Sequence, residues 1–187
     1  MEIHIIRHTQ VAISKDTCYG QSEVPLANSF ADEVQHFKEN LPKDFSIVYH
    51  SPLSRCALLA DALGFRENIT EANLMEMNFG DWEGKKWDAI NQEELNIWMQ
   101  DFVFQKPPNG ENLAEMFARI SHFLNILRTK EHDKVLIVTH AGVIRCIWAY
   151  LLAIPLENIF KIPVDYQEIF TFNLSKKANF DSIKRKK

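Results

Sequence analysis

The chain has 187 residues, 46% of them apolar and 25% charged, which are the values of an ordinary globular domain; an intrinsically disordered chain, a collagen-like repeat and a small disulfide scaffold are excluded. Its formal charge is −4, and without the terminal Lys184-Arg185-Lys186-Lys187 the remaining 17 basic and 25 acidic residues give −8, so the body lacks the basic face that a nucleic-acid binder needs. A small anionic ligand is still allowed, because a few converging arginines reverse the field locally. One core is expected to carry everything: a single domain over 1–187, with 184–187 as a mobile basic tail. Cys18, Cys56 and Cys146 are odd in number, widely spaced and free of any Cys-x-x-Cys pair, the pattern of reduced thiols in a cytoplasmic protein rather than of disulfides or a metal site. The N-terminus reaches Arg7 too early for a secretory signal. The longest apolar run, Ile147 to Ile154, is far short of the ~18 residues that cross a bilayer, so no membrane partner is expected.

In chain order, Ile3, Ile5 and Ile6 predict a first strand that stops at Arg7-His8. Leu26, Phe30, Val34, Phe37 and Leu41 recur at helical spacing and predict a helix. Ile47-Val48-Tyr49 predicts a second strand stopping at His50-Ser51-Pro52. The stretch 80–108 holds three of the four tryptophans and reads as short helices forming a lid over the sheet, and Lys106-Pro107-Pro108-Asn109-Gly110 reads as a loop. Leu113, Met116, Phe117, Ile120, Phe123, Leu124 and Leu127 then trace a long amphipathic helix. Val135-Leu136-Ile137-Val138 predicts a third strand ending at Thr139-His140, and Ile169 to Leu174 an edge strand. Continuous apolar runs suit strands covered on both sides. Their alternation with helical segments implies an α/β fold, a three-layer sandwich with a mostly parallel central sheet and helices on both faces.

Ligands of open α/β sheets bind outside the carboxyl ends of the strands. The three clearest strands deliver Arg7-His8, Ser51-Pro52-Leu53-Ser54-Arg55 and Thr139-His140-Ala141-Gly142 to that edge. Guanidinium groups suit phosphate because their forked donors take two oxygens at once and stay charged. An imidazole beside them either attacks phosphorus or donates to an oxygen as charge builds on it. A phosphohistidine route also needs a general acid for the leaving alkoxide, and Leu74-Met75-Glu76-Met77-Asn78-Phe79-Gly80-Asp81-Trp82-Glu83-Gly84 offers Glu76, with Glu83 as its rival.

These residues carry a resemblance. Arg7-His8-Thr9, Ser51 to Cys56, Glu76 to Gly84 and Thr139 to Gly142 resemble, in order and approximate spacing, the four motifs of the histidine phosphatase superfamily, whose fold is phosphoglycerate mutase-like. The resemblance implies a metal-independent phosphomonoesterase with no cofactor, in which His8 is the phosphorylated nucleophile, Arg7, Arg55 and His140 form the phosphate pocket and Glu76 is the proton donor. His140 is expected to work protonated, so that activity falls as pH rises through its ligand-bound pKa. The segment Cys18-Tyr19-Gly20-Gln21-Ser22-Glu23-Val24-Pro25-Leu26 resembles the α-ribazole phosphatase branch. That likeness implies α-ribazole 5′-phosphate as substrate, in assembly of the cobalamin nucleotide loop, with Ser14, Tyr19, Gly20, Gln21 and Ala141 as further phosphate or substrate contacts. Ser14 stands where the superfamily often has Asn. A broad-specificity sugar-phosphate or nucleotide phosphatase, a phosphoglycerate mutase and a non-catalytic phospho-ligand binder are the alternatives. The expected partner is a small phosphorylated molecule, and the expected state a monomer or homodimer.

Overall fold

The structure, a computed structural model, describes residues 1–184. Six strands form one sheet: β1 (Glu2–Arg7), β2 (Ile47–His50), β3 (Asn68–Thr70), β4 (Lys134–Thr139), β5 (Ile169–Asn173) and β6 (Ser182–Lys184), in the spatial order β3-β2-β4-β1-β5-β6. The pairs β2–β3, β2–β4 and β1–β4 are parallel, while β5 runs antiparallel to both β1 and β6. Register places Arg7 opposite Thr139 and His50 opposite Val138, so three parallel strands end at one level.

Strand alternation sorts the core into two halves. Ile3, Ile5, Ile47, Tyr49, Val135 and Ile137 point to one side, where they meet α4 (Leu113–Leu127) and α5 (Ala141–Leu152). Ile6, Val48, Leu136 and Val138 point to the other and meet Val34 and Phe37 of α1 (Phe30–Asn40) and Cys56, Leu59 and Ala60 of α2 (Ser54–Leu63). The expected three-layer sandwich is therefore the observed one. The long predicted helix starts where its sequence caps it: the Asn112 side chain accepts the Glu115 N–H at 2.8 Å, and the Glu115 carboxylate accepts the Asn112 N–H at 3.2 Å.

Three boundaries differ from expectation. Ile169–Asn173 is an inner strand, and the edges are β3 and β6; both are three residues long and exposed, with no apolar run to announce them. Helix α1 begins at Phe30, because Leu26 is taken up in a β-bridge with Val11. Lys184, assigned to a mobile tail, closes β6 and pairs with Glu2, while 185–187 lie outside the described residues. No helix among the described residues is long and apolar enough to cross a membrane.

The stretch 80–108 folds as expected into short helical pieces, including α3 (Gln92–Gln100), which the Asn91 side chain caps by accepting from Glu93 and Glu94. Trp82, Ile90 and Leu95 bury against Cys18 in a small core of their own. Edge-on rings then link Trp82 to Trp98 and Phe79 to both Trp98 and Trp87.

Candidate active site

Strand ends and helix starts bring the chemistry together. Arg7 is the last residue of β1, and the His8 N–H bonds Thr139 O at 2.8 Å, which ties the two histidine-bearing loops to each other. Arg55 sits in the first turn of α2, and His140 is the residue on which α5 starts. The rings of His8 and His140 lie 5.2 Å apart. Beside them is a cavity of about 280 Å³ whose walls include Arg7, His8, Arg55, Glu76, Tyr19 and Ala141.

His8 is 2% exposed. Burial pushes its pKa down to about 3, with the positive charges of Arg55 and Arg7 acting in the same direction and the Thr9 carbonyl against them. The ring is therefore neutral at ordinary pH. Its Nδ1 lies 2.7 Å from Thr9 O, and since a carbonyl only accepts, Nδ1 carries the proton and Nε2 keeps its lone pair. That is the tautomer a nucleophile needs.

Both arginines are anchored on one side and open on another. Arg55, fully buried, donates from Nη2 to Gly20 O at 2.5 Å and from Nη1 to Ser22 O at 3.0 Å. Arg7 donates to Val164 O at 3.2 Å and to the Tyr166 hydroxyl at 3.0 Å, its guanidinium carbon 3.8 Å from the Tyr166 ring centre. The Nε–H of each arginine and the Thr9 hydroxyl are buried without a partner among the described residues, an uncommon condition for polar atoms and one that an oxyanion would relieve.

Glu76 is on the cavity wall, its carboxylate accepting the Met77 N–H at 3.0 Å and the Gly142 N–H, in the first turn of α5, at 3.1 Å. The loop that carries it is held through its backbone. Thr139 donates to Leu74 O at 2.8 Å, Gln21 to Glu76 O at 3.0 Å, and Arg119 to Asn73 O at 2.7 Å and Glu76 O at 3.1 Å, itself oriented by Glu111. Glu83 is engaged elsewhere: burial raises its pKa, but the Ser22 hydroxyl and the N–H groups of Gln21, Phe79 and Ser22 outweigh that and hold it ionised. Between the two carboxylates, Glu76 is the one at the cavity.

Four expectations change. His140 does not line the cavity; it is packed behind His8 with Nε2 on the Ser51 hydroxyl at 2.8 Å and near the Cys56 sulfur. Burial first, and then the neighbouring His8, Arg55 and Arg7, hold its pKa well below that of a free histidine, so the ring is neutral here. Ser14 is exposed and faces an adjoining hollow instead, its hydroxyl 3.4 Å from the Asp16 N–H. Gln21 braces Glu76 and does not line the cavity. Gly20 also serves the packing: a Cβ there would stand 1.8 Å from Met77 O, so only glycine lets the 18–22 segment lie against the Glu76 loop. Tyr19 and Ala141 are wall residues.

The sequence reading missed Arg145 and Tyr166. Arg145 follows Ala141 by one helical turn and so reaches the same wall, a signal that helix phase contained. Tyr166 sits in irregular chain between the last helical turn and β5, where no period exists to be read. Lys15 and Thr17 also line the cavity, and the remainder of its wall is apolar, with Met77, Phe79, Trp87, Trp98, Leu113 and Phe160 prominent.

Residues 3–180 match the histidine phosphatase superfamily (branch 1). The adenosylcobalamin/α-ribazole phosphatase of Escherichia coli K12 is 29% identical over 176 residues, covering 88% of this chain and 86% of that one. A 2,3-bisphosphoglycerate-dependent phosphoglycerate mutase of Bartonella tribocorum is 31% identical over 147 residues, 69% of either chain. Among solved structures, the α-ribazole phosphatase of Shigella flexneri superposes with a TM-score of 0.89 at 25% identity, covering 98% of this chain and 95% of the other.

Proposed function

The chain belongs to the histidine phosphatase superfamily, and on that premise we propose that it is a phosphomonoesterase working through a phosphohistidine at His8. The observation that carries this reading is the neutral, Nδ1-protonated His8 set between two arginines whose buried Nε–H groups have no partner among the described residues. In the first step Nε2 attacks phosphorus in line, the N–P bond forms as the P–O bond breaks, and Glu76 gives its proton to the departing oxygen. Arg7 and Arg55 hold the non-bridging oxygens. A bound dianion raises the pKa of His140, which then exchanges its Ser51 contact for a phosphate oxygen. In the second step water attacks phosphorus, Glu76 takes its proton, and His8 is released neutral.

For the substrate we infer α-ribazole 5′-phosphate. Aromatic and aliphatic walls from Phe79, Trp87, Trp98, Phe160 and Met77 suit an ester whose body is a flat heterocycle, and the Escherichia coli and Shigella relatives favour the same choice. Arg145 and Lys15 on the same cavity favour a second reading, an ester that also carries a carboxylate, of the phosphoglycerate kind.

Two measurements test these readings. Substrate phosphate should label the protein in an acid-labile, base-stable form that disappears in His8→Ala; a label that survives the substitution removes the nucleophile. Comparison of kcat/KM for α-ribazole 5′-phosphate, 3-phosphoglycerate, phosphoserine and nucleoside monophosphates should favour the first clearly. A flat profile overturns the substrate and leaves the chemistry standing.

A further inference from the structure

Glu33, on α1, is a fully buried carboxylate that is not a wall of the cavity. Its two oxygens each lie 3.2 Å from the backbone N–H of Gln10, and one accepts the Ser29 hydroxyl at 2.6 Å. That N–H belongs to the peptide joining Thr9 to Gln10, and the carbonyl of the same peptide is the Thr9 oxygen that accepts His8 Nδ1 at 2.7 Å. One rigid, planar unit therefore takes a hydrogen bond from the imidazole at one end and gives a hydrogen bond to a buried carboxylate at the other. The following carbonyl, Gln10 O, accepts the Ala27 N–H at 3.0 Å, which fixes the chain just beyond that unit.

Two physical effects follow from this relay. A peptide plane pinned at its N–H cannot rotate its carbonyl away from His8, so the imidazole keeps both its orientation and its tautomer. A negative charge at the N–H end also polarises the peptide and strengthens its oxygen as an acceptor, most where water is absent. The alternative tautomer would turn the His8 Nδ1 lone pair toward the Thr9 oxygen and place the proton on Nε2, the atom that must attack. We propose that Glu33 is a positioning residue of the reaction, acting through the Thr9–Gln10 peptide to hold His8 with Nε2 unprotonated and aimed at the phosphate.

The proposal rests on His8 being the nucleophile, and its test separates the two claims. Histidine ¹⁵N shifts of the free protein report the His8 tautomer without any turnover, and p-nitrophenyl phosphate reports kcat and KM whatever the natural substrate is. Glu33→Met fills the space without an acceptor; it should give a mixed tautomer at His8 and lower kcat roughly ten- to a hundredfold with KM little changed. Glu33→Gln keeps an acceptor for the Gln10 N–H, and should restore the Nδ1-protonated tautomer and most of kcat. If Glu33→Met does not fold, Glu33→Asp, too short to reach Gln10, takes its place with the same expectations. An unchanged tautomer and kcat in the Met or Asp variant, or failure of Gln to rescue, overturns the role of Glu33. Retention of turnover by His8→Ala overturns the nucleophile instead, and the tautomer measurement then still decides whether Glu33 sets the ring.

Discussion

The Glu76 carboxylate and the backbone N–H of Gly142 meet at 3.1 Å, so the proposed proton donor rests on the first turn of the helix that His140 begins. The approach depends on the missing side chain, because a Cβ at 142 would stand 2.3 Å from a Glu76 oxygen and 3.1 Å from the Met116 methyl. The carboxylate is the movable partner. Gly142→Ala should therefore leave the thermal midpoint unchanged or slightly raised, alanine being the better helix former, while kcat falls roughly a hundredfold. Differential scanning calorimetry and steady-state kinetics on the same preparation check this, and equal losses in both would mean that the backbone yields instead.

Glu76 and Glu83 differ in what surrounds them, and their variants should fail differently. Glu76→Gln removes the transferable proton and should lower kcat by two to four orders of magnitude for an ester with a poor leaving group, with a smaller loss for p-nitrophenyl phosphate, about 10²–10⁴ being the usual worth of a general acid. Glu83→Gln puts an amide where the carboxylate accepts from Gln21, Ser22 and Phe79, so it should loosen the 20–22 segment that receives Arg55 and act on KM. The ratio of the two leaving groups separates them, because only loss of the acid makes the rate depend on what departs.

His8 and His140, both buried at the site, give the stability a pH dependence of definite sign. His8 titrates at 6.5 when unfolded and at about 3 in the native state, and His140 is likewise depressed. Between those limits the unfolded chain binds protons that the folded chain refuses. The full stability is present above 6.5 and is lost as pH falls toward 3, at up to about 1.4 kcal/mol per pH unit for His8, with His140 acting in the same direction. Urea midpoints from pH 7 to 4 should drop steeply, and His8→Asn should flatten that slope; an unaltered slope would place the proton uptake elsewhere.

How much of this was legible in the sequence follows from the kind of signal each part leaves. The inner parallel strands and α4 are runs and stripes of apolar residues, and they were readable because burial on two faces, or on one helical face, forces such patterns. Strands β3 and β6 are short, exposed and polar, so their pairing comes from the neighbouring strand and not from their own residues. At the site, Arg7, His8, Arg55 and His140 were legible as the end of a strand, the first residues beyond one or the start of a following helix. Whether a motif residue would face the ligand was not. Gln21 and Gly20 sit in the recognised segment yet brace the Glu76 loop and Arg55, and Ser14 looks onto a neighbouring hollow, because chain direction after a strand end is set by tertiary contacts. The depression of the His140 pKa was not legible either, because it comes from complete burial and from the neighbouring His8 and arginines.

Arg145 separates the two proposed substrate readings. Its Nε is bound to Ile162 O at 3.0 Å and its guanidinium carbon lies 5.8 Å from the Phe160 ring, so the side chain is held at the cavity wall by the turn that precedes β5. Burial lowers its pKa, partly offset by the charge of Glu76, and a group kept cationic against that penalty gains from any anion placed beside it. An ester with a carboxylate meets that need with a charge-assisted bond of about 1.5–3 kcal/mol, roughly ten- to a hundredfold in kcat/KM, whereas an uncharged heterocycle needs only the flat face and the apolar walls. Arg145→Met keeps length and apolar contact while removing the charge. If α-ribazole 5′-phosphate is the substrate, its kcat/KM should change by less than about threefold and that of 3-phosphoglycerate should fall from an already low value. If the variant instead loses the heterocyclic ester by tenfold or more, the guanidinium is a recognition group for that ester's own hydroxyls or base, and the apolar wall alone does not select it.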